Sequence, residues 1–275
     1  MTKEDNEKIF NDIVKDYDKS EHFSGQLCPD QYICNIEIIK NYYFNQNTRK
    51  NIFAKDSVTV IEKNIPNVEN ILILILESPH QKEFYTEDVK DENGTVIHHK
   101  GDPIGPANGP TGCNIRKHIA KIFPNFSNYH LILMNAIPFQ CSLGFPLSKK
   151  EKENLKRRDE VFGAVWGNFG KIFFKARLKK LLDELQNKGK NVVVVNACTI
   201  ATDKKGNRED LHCMVCRGIQ YVMVKNKFSF YHTVHPSSGH WCRKNYKLND
   251  SKRNVNERCQ NRRKCKQSQI QIVKN

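Results

Sequence analysis

Three polar segments of this chain follow apolar stretches and carry side chains suited to chemistry on a polar, planar ligand. They bring a carboxylate (Glu77), a carboxamide (Asn135) and an imidazole (His235). A carboxamide has a donor side and an acceptor side, so it can read the edge of a nucleobase. An imidazole can stabilise an oxygen that gains charge, and a carboxylate can steer water or stabilise a cation. Each residue alone also fits a plainer role: Glu77 as a surface acid, Asn135 as a turn cap and His235 as a loop histidine.

The apolar stretches before these residues predict strands of a buried parallel sheet. Residues 71–76 read ILILIL between Pro66 and Pro79, which is typical of a strand covered on both faces. Further strands are predicted at 129–136 and 191–197, and a last one from 220–224 and 227–234. Helices are predicted at 114–123, where Thr111 can cap, at 148–163 and at 171–188. This alternation predicts a three-layer α/β/α fold around a mostly parallel four-stranded sheet, with the polar residues at its carboxyl edge.

The remaining segments predict one α/β domain over residues 1–242, with an N-terminal helical extension and a basic tail at 243–275. A weak helical pattern runs through Ile9, Phe10, Ile13 and Val14. A second helix is predicted at 36–44 and a short edge strand at 57–62. The polar loop at 81–110 is long for a compact domain, which is typical of functional or mobile loops.

The charge balance favours a polyanionic partner, and nucleic acid comes first. The chain carries a formal net charge of +15, and residues 243–266 alone hold ten Lys or Arg against two acids. Such a tail supplies sequence-independent affinity for phosphates, although it is also typical of a solvated, disordered end. No membrane-spanning run or signal peptide is evident, so we expect an intracellular monomer, cytoplasmic or, in a eukaryote, nuclear.

Two further patterns are weaker. The loop GPANGPTG, followed by a helix with Arg116, can cradle phosphate, although it lacks the GK[ST] of a Walker A loop. Cys213 and Cys216 form a CMVC pair after His212. A zinc site needs four ligands at one point, so metal binding here stays open.

The order of the motifs resembles the uracil-DNA glycosylase superfamily. It runs ESPH, a Pro- and Gly-rich loop entering a helix (PTGCNIRKHI), LILMNAI and HPSSGH, over residues 71–241. In that family the first motif activates water, the strand ending in asparagine reads the base, and the HPSPLS-type loop supplies a leaving-group histidine and a wedge into the DNA.

The resemblance implies a role for each matching residue. Asn135 would pair with a flipped-out base, and His235 would stabilise charge on the leaving base. Glu77 and Ser78 would occupy the water-activating motif, and Pro79 and His80 would border the base. No metal or organic cofactor would be required. Double-stranded DNA would be gripped by Gly109, Pro110, Thr111, Arg116, Ser237, Ser238, His240, Arg243 and Lys244.

The departures from the family pattern point to the substrate. Ser78 cannot deprotonate water as an aspartate can, so Glu77 would take that work, or the step would rely on His235 and the sugar cation. His80 replaces the tyrosine that excludes a group at the pyrimidine 5-position, and Gly239 stands where the family has its leucine wedge. A roomier pocket predicts a pyrimidine larger than uracil, such as a 5-modified cytosine in phage DNA, in repair or in defence.

Other classes remain possible from the sequence. One is a non-catalytic DNA-binding or sensor protein on the same fold. Another is a different α/β hydrolase that uses Ser78 or Ser237 with His235, although the G-x-S-x-G elbow is missing. A nuclease is disfavoured because no cluster of acids for two metals is apparent.

Overall fold

The computed structural model describes residues 2–17, 24–37, 39, 59–60, 67–79, 81–142, 151–199, 211–223, 228–238 and 240–242. Its helices are α1 (Lys3–Val14), α2 (Pro110–Ile122), α3 (Glu151–Val165), α4 (Lys171–Asn187) and α5 (Leu211–Met223). Its strands are β1 (Gln31–Asn35), β2 (Thr59–Val60), β3 (Asn70–Leu76), β4 (Val89–Lys90), β5 (Val96–His98), β6 (His130–Asn135), β7 (Asn191–Asn196) and β8 (Ser229–His232). A π-helical segment, Trp166–Gly170, joins α3 to α4.

The predicted α/β architecture is confirmed, with a larger sheet than expected. The main sheet has the strand order β2-β1-β6-β3-β7-β8 in the described part of the chain. The four strands β6, β3, β7 and β8 are mutually parallel, as predicted. Strands β1 and β2 extend the sheet in antiparallel fashion, and β2 lies within the edge strand predicted at 57–62. The five-residue β1 was not predicted, because QYICN is too short to show a clear alternation.

Strand β3 lies in the middle of the parallel strands and explains the ILILIL pattern. Ile71, Ile73 and Ile75 face one hydrophobic core, which also receives residues of α1, α3, α4 and α5. The alternating leucines face a second core, which receives α2 and Trp241. Because both faces are covered, every position of this strand from 71 to 76 is buried, as the continuous apolar run predicts.

Two sequence predictions of secondary structure were wrong. Residues 220–223 are not strand but the last turn of α5, whose buried positions Leu211, Val215, Ile219 and Val222 follow the helical period. The β-branched and aromatic residues near 221 misled the prediction. Helix α2 begins at Pro110 with Gly109 as its N-cap residue, so Thr111 is a buried residue of the first turn and not the cap. Proline is favoured at this first helical position because it lacks an N–H.

The chain connections reverse direction between β3 and β7. From β3 the chain passes through α2 to β6 on one side, whereas from β7 it passes through α5 to β8 on the other. In open α/β sheets, ligands commonly bind outside the carboxyl edge at such a reversal of the connections. None of the described helices combines the length and apolar character needed to cross a bilayer.

Candidate functional site

The ends of β3 and β6 run side by side at the carboxyl edge. Asn135 is paired with Leu76, and the chain continues in register, since Ala136 N–H donates to Leu76 O at 2.8 Å. Ile137 N–H then donates to Glu77 O at 3.0 Å. The first two predicted site residues therefore come from neighbouring strand ends, as the sequence predicts.

Glu77 is a buried carboxylate, and both of its oxygens are engaged. Its side chain is 6% exposed, and Oε1 lies 3.1 Å from Nε of Arg158 on α3. Oε2 accepts a 3.2 Å hydrogen bond from Thr199 N–H, in the loop after β7. Burial acts to lower the pKa of Arg158, but Glu77 and then Asp159 raise it above its ordinary value. The pair thus holds a fixed negative charge at the edge of the sheet, backed by an arginine.

Removing the arginine should expose the cost of burying that charge. We expect Arg158→Met to lower the free energy of unfolding by about 3 kcal/mol, because it leaves the Glu77 carboxylate buried without its cation. The double variant Glu77→Gln/Arg158→Met should recover most of this loss. Urea unfolding of the wild type, both single variants and the double variant measures it. Equal midpoints for Arg158→Met and the wild type would mean that the pair contributes nothing to stability.

Asn135 carries a buried carboxamide with one long hydrogen bond to a described residue. The residue is 2% exposed. Among the described residues its side chain makes one hydrogen bond, a long contact from Nδ2 to Cys28 Sγ at 4.0 Å. Buried amides are normally paired, and an amide whose one described partner is a weak thiol acceptor leaves room for a ligand to pair with it.

Asn196, at the end of β7, is the matched counterexample. Its Nδ2 donates to His212 O at 3.0 Å, and its Oδ1 accepts from Cys198 N–H at 3.1 Å. It is fully buried, and both ends of its carboxamide are therefore satisfied within the protein. Asn135 and Asn196 thus end the two strands that flank β3, and the carboxamide of Asn196 is the one whose bonds are structural.

Ser78 and Cys141 lie next to Glu77. Among the described residues the Ser78 hydroxyl oxygen is buried without a hydrogen-bond partner of normal geometry. The hydroxyl nevertheless interacts with the Cys141 thiol. Burial raises the pKa of that thiol, Ser78 opposes the increase and the charge of Glu77 adds to it. Pro79, the next residue, is buried. Ser78 is therefore a second polar group at this edge with spare hydrogen-bonding capacity.

His235 is held in one tautomer by the residue two positions later. Nδ1 lies 2.7 Å from the Ser237 hydroxyl and accepts from Ser237 N–H at 3.3 Å. A backbone N–H can only donate, so Nδ1 is unprotonated and the neutral ring carries its hydrogen on Nε2. Burial lowers the pKa of His235 to about 4, opposed by Glu77 and reinforced by Arg158. The ring is therefore a neutral donor near the Glu77–Arg158 pair.

The two loops expected to hold phosphates are joined by a hydrogen bond. Asn114, in the first turns of α2, donates through Nδ2 to Pro236 O at 2.9 Å. Gly109 is buried before α2, whereas Arg116 is partly buried, which lowers the pKa of its guanidinium. On the other loop Ser237 and His240 are exposed, and the Ser238 hydroxyl is buried with no hydrogen bond to any described residue.

Several predictions fall where the structure gives no description. His80, Gly239, Arg243 and Lys244 lie outside the described residues, as does the basic tail. Cys213 and Cys216 are buried on α5. Within the described ranges, no three His, Cys, Asp or Glu side chains are grouped so that they could hold a metal ion.

Three residues of the site were missed by sequence reasoning. Cys28 and Arg158 reach the site only through tertiary contacts, and nothing in their local sequence distinguishes them. Arg177 on α4 pairs with Asp30 and donates through Nη2 to Asn135 O at 3.0 Å. It occupies the same helix face as the buried Phe174 and Leu178, and a charge on that face was a usable indication.

Comparison with known proteins identifies no relative. The chain shows no match among protein-family models, curated proteins or solved structures.

Proposed function

We propose that this protein is a monofunctional DNA glycosylase that flips a pyrimidine nucleotide out of DNA and hydrolyses its N-glycosidic bond. The observation that carries the proposal is the Asn135 carboxamide, buried at the carboxyl edge with a thiol as its partner in the described structure. A base enclosed in a pocket can satisfy both sides of that amide. The net charge of +15 supplies the affinity for phosphates that such an enzyme needs.

The reaction separates charge, and the described residues are suited to stabilise both halves. When the glycosidic bond breaks, its electron pair leaves with the base and the sugar becomes a cation. The hydrogen on Nε2 of neutral His235 can bond to the base oxygen that gains negative charge. The ionised Glu77 would stabilise the developing cation, and water then adds to the sugar and loses a proton that neutralises the departing base anion. Because Arg158 and Thr199 already bind Glu77, we assign it the fixed charge and the orientation of water.

The substrate we propose is a pyrimidine larger than uracil, such as a 5-modified cytosine. Support comes from the sequence, in which His80 stands at the position of the tyrosine of uracil-specific enzymes. Asn135 can turn its amide to suit a uracil or a cytosine edge, so it does not choose between them. DNA repair and defence against modified phage DNA are both compatible with this chemistry. We propose that the protein acts inside the cell and, if the host is a eukaryote, in the nucleus.

The acid side of the pH profile tests the assigned protonation state of His235. Since the pKa of this group is lowered to about 4, the neutral donor persists as the pH falls through 6.5. We expect single-turnover base release to stay level down to about pH 5 and to fall below the pKa near 4, because a proton on Nδ1 breaks the hydrogen bond from Ser237 N–H that orients the ring. Ser237→Ala removes one donor to Nδ1 and should move this limb to higher pH. A wild-type limb centred near the ordinary value of 6.5 would contradict the assignment.

The rival hydrolase has one supporting observation, the 2.7 Å contact between Ser237 Oγ and His235 Nδ1. This contact joins residues two positions apart and is shared with the Ser237 backbone N–H, so it is equally typical of a local turn. A fluorophosphonate probe separates the two functions. Labelling of wild-type protein that is lost in Ser237→Ala would favour the hydrolase, whereas base release without labelling favours the glycosylase.

A further inference from the structure

Two histidines outside the proposed site lie at the same edge of the sheet. His212 is in the first turn of α5, and His232 is the last residue of β8. Nε2 of His212 lies 3.0 Å from Nδ1 of His232. Nδ1 of His212 lies 3.0 Å from Cys198 O, in the loop after β7. His212 is 1% exposed, so these contacts are made away from water.

The histidines and Cys198 O form a chain of hydrogen bonds, and the acceptor at its end determines which ring nitrogens carry hydrogen. A carbonyl oxygen can only accept, so Nδ1 of His212 carries a hydrogen that it donates to Cys198 O. In a neutral ring Nε2 is then the acceptor, and Nδ1 of His232 must donate to it. Both rings are therefore fixed in the Nδ1–H tautomer, and both hydrogen bonds point towards Cys198.

The neutral state agrees with the surroundings of both rings. Burial, with a further contribution from His212, lowers the pKa of His232 to about 3. His212 lies in the first turn of α5, at the positive end of the helix dipole, which disfavours a positive charge on its ring.

One peptide group connects this chain to Glu77. The oxygen of Cys198 and the N–H of Thr199 belong to the same peptide unit, and that N–H donates to Glu77 Oε2 at 3.2 Å. Accepting a hydrogen bond at the oxygen polarises the peptide and strengthens donation from its nitrogen. The hydrogen bonds thus run in one direction from His232 through His212 and the peptide to the carboxylate.

Asn196 fixes the start of Cys198, the residue whose oxygen belongs to this peptide. It accepts from Cys198 N–H and donates to His212 O, so one side chain holds both the loop after β7 and the start of α5. The Thr199 N–H consequently has little freedom to turn away from Glu77.

We infer that His212 and His232 are positioning residues, which orient the Glu77 carboxylate through the Cys198–Thr199 peptide. The inference rests on the proposed function for the role of Glu77, but the hydrogen-bond chain itself does not. Neither histidine contacts the reacting atoms. Their contribution is to fix the direction from which Oε2 is bound, and so the lone pairs that Glu77 presents to water.

Matched substitutions separate donation from packing. In His212→Asn the side-chain N–H₂ lies near the position of Nδ1 and still donates to Cys198 O, whereas His212→Leu fills space without donating. We expect His212→Leu to lower the single-turnover rate of base release about tenfold, with His212→Asn within about threefold of wild type, because one polarising hydrogen bond is lost or kept. KM for the DNA should be unchanged in both. In the same way, His232→Asn keeps a donor to His212 and His232→Phe does not.

Spectroscopy tests the chain without any activity. Long-range ¹⁵N–¹H spectra of histidine-labelled protein, assigned by His212→Asn and His232→Asn, should show both rings with hydrogen on Nδ1. The ¹³C signal of the Glu77 carboxylate should shift in His232→Phe and not in His232→Asn.

If no base is released from any substrate but both spectroscopic signatures are present, the proposed function fails and the inferred hydrogen-bond chain is supported. An Nε2–H tautomer for His212, or an unmoved Glu77 signal in His232→Phe, overturns the inference even if the enzyme is active. Equal rates for His212→Leu and wild type would do the same.

Discussion

Asn135→Ala is expected to lower kcat/KM for base release by about 10- to 100-fold, because the variant loses the donor and acceptor that read the base edge. Stability should not fall. The described structure gives this carboxamide one long contact, to Cys28 Sγ at 4.0 Å, so little native bonding is lost. Removing a poorly paired buried amide is neutral or stabilising, as is usual where a residue serves function. Single-turnover kinetics and urea unfolding of the same preparation measure both effects.

Asn196→Ala supplies the control, because the same residue type ends β7, which lies on the other side of β3 from β6. It removes one hydrogen bond to Cys198 N–H and one to His212 O, both in the buried interior. We expect it to lower the free energy of unfolding by about 1–3 kcal/mol. If Asn135→Ala destabilised the fold as much as Asn196→Ala and left kcat/KM unchanged, Asn135 would be structural and the base-reading role would be lost.

His235→Ala is expected to lower the rate of base release by about 10²- to 10³-fold, which is the usual cost of removing one donor to a developing oxyanion. DNA binding should hardly change, because the donor acts on charge that appears only as the bond breaks. His235→Gln should recover part of the rate, since its side-chain N–H₂ lies near the position of Nε2. Single-turnover release from a saturating enzyme concentration measures the effect free of product dissociation.

Ser237→Ala is the companion variant for His235. It removes one of the two donors to Nδ1 but leaves the Ser237 backbone N–H, so the tautomer is kept and the rate at neutral pH should fall less than tenfold. A rate for His235→Ala within threefold of the wild type would remove this histidine from the mechanism.

The central parallel strands could be predicted from the sequence because local pattern determines them. ILILIL and NVVVVN are buried on both faces wherever they pair, so their assignment needed no tertiary information. The end of α5 could not be separated from a strand by composition, since Tyr221 and Val222 favour strands. The helical spacing of Leu211, Val215 and Ile219 was the better guide.

The candidate site could be predicted only in part. Glu77, Asn135 and His235 follow strands, and the topology of a parallel sheet brings strand ends together. Their partners come from elsewhere in the chain, as Cys28 does for Asn135 and Arg158 for Glu77. Such pairings depend on how helices pack on the sheet, which no local pattern records. The sequence left open whether Glu77 deprotonates water, and its pairing with Arg158 supports the fixed-charge role that we propose for it.

The central claim is tested most directly by incubating the wild-type protein with defined duplexes and measuring both free base and alkali-labile sites. The duplexes carry uracil, thymine, cytosine or one of several 5-substituted cytosines at a single position. We predict release of a free pyrimidine, an intact strand before alkali and a break at that position after it, with a 5-substituted cytosine preferred over uracil. Efficient release of uracil alone would contradict the modified-base substrate. Binding to every duplex without release of any base would contradict the glycosylase itself and identify a sensor.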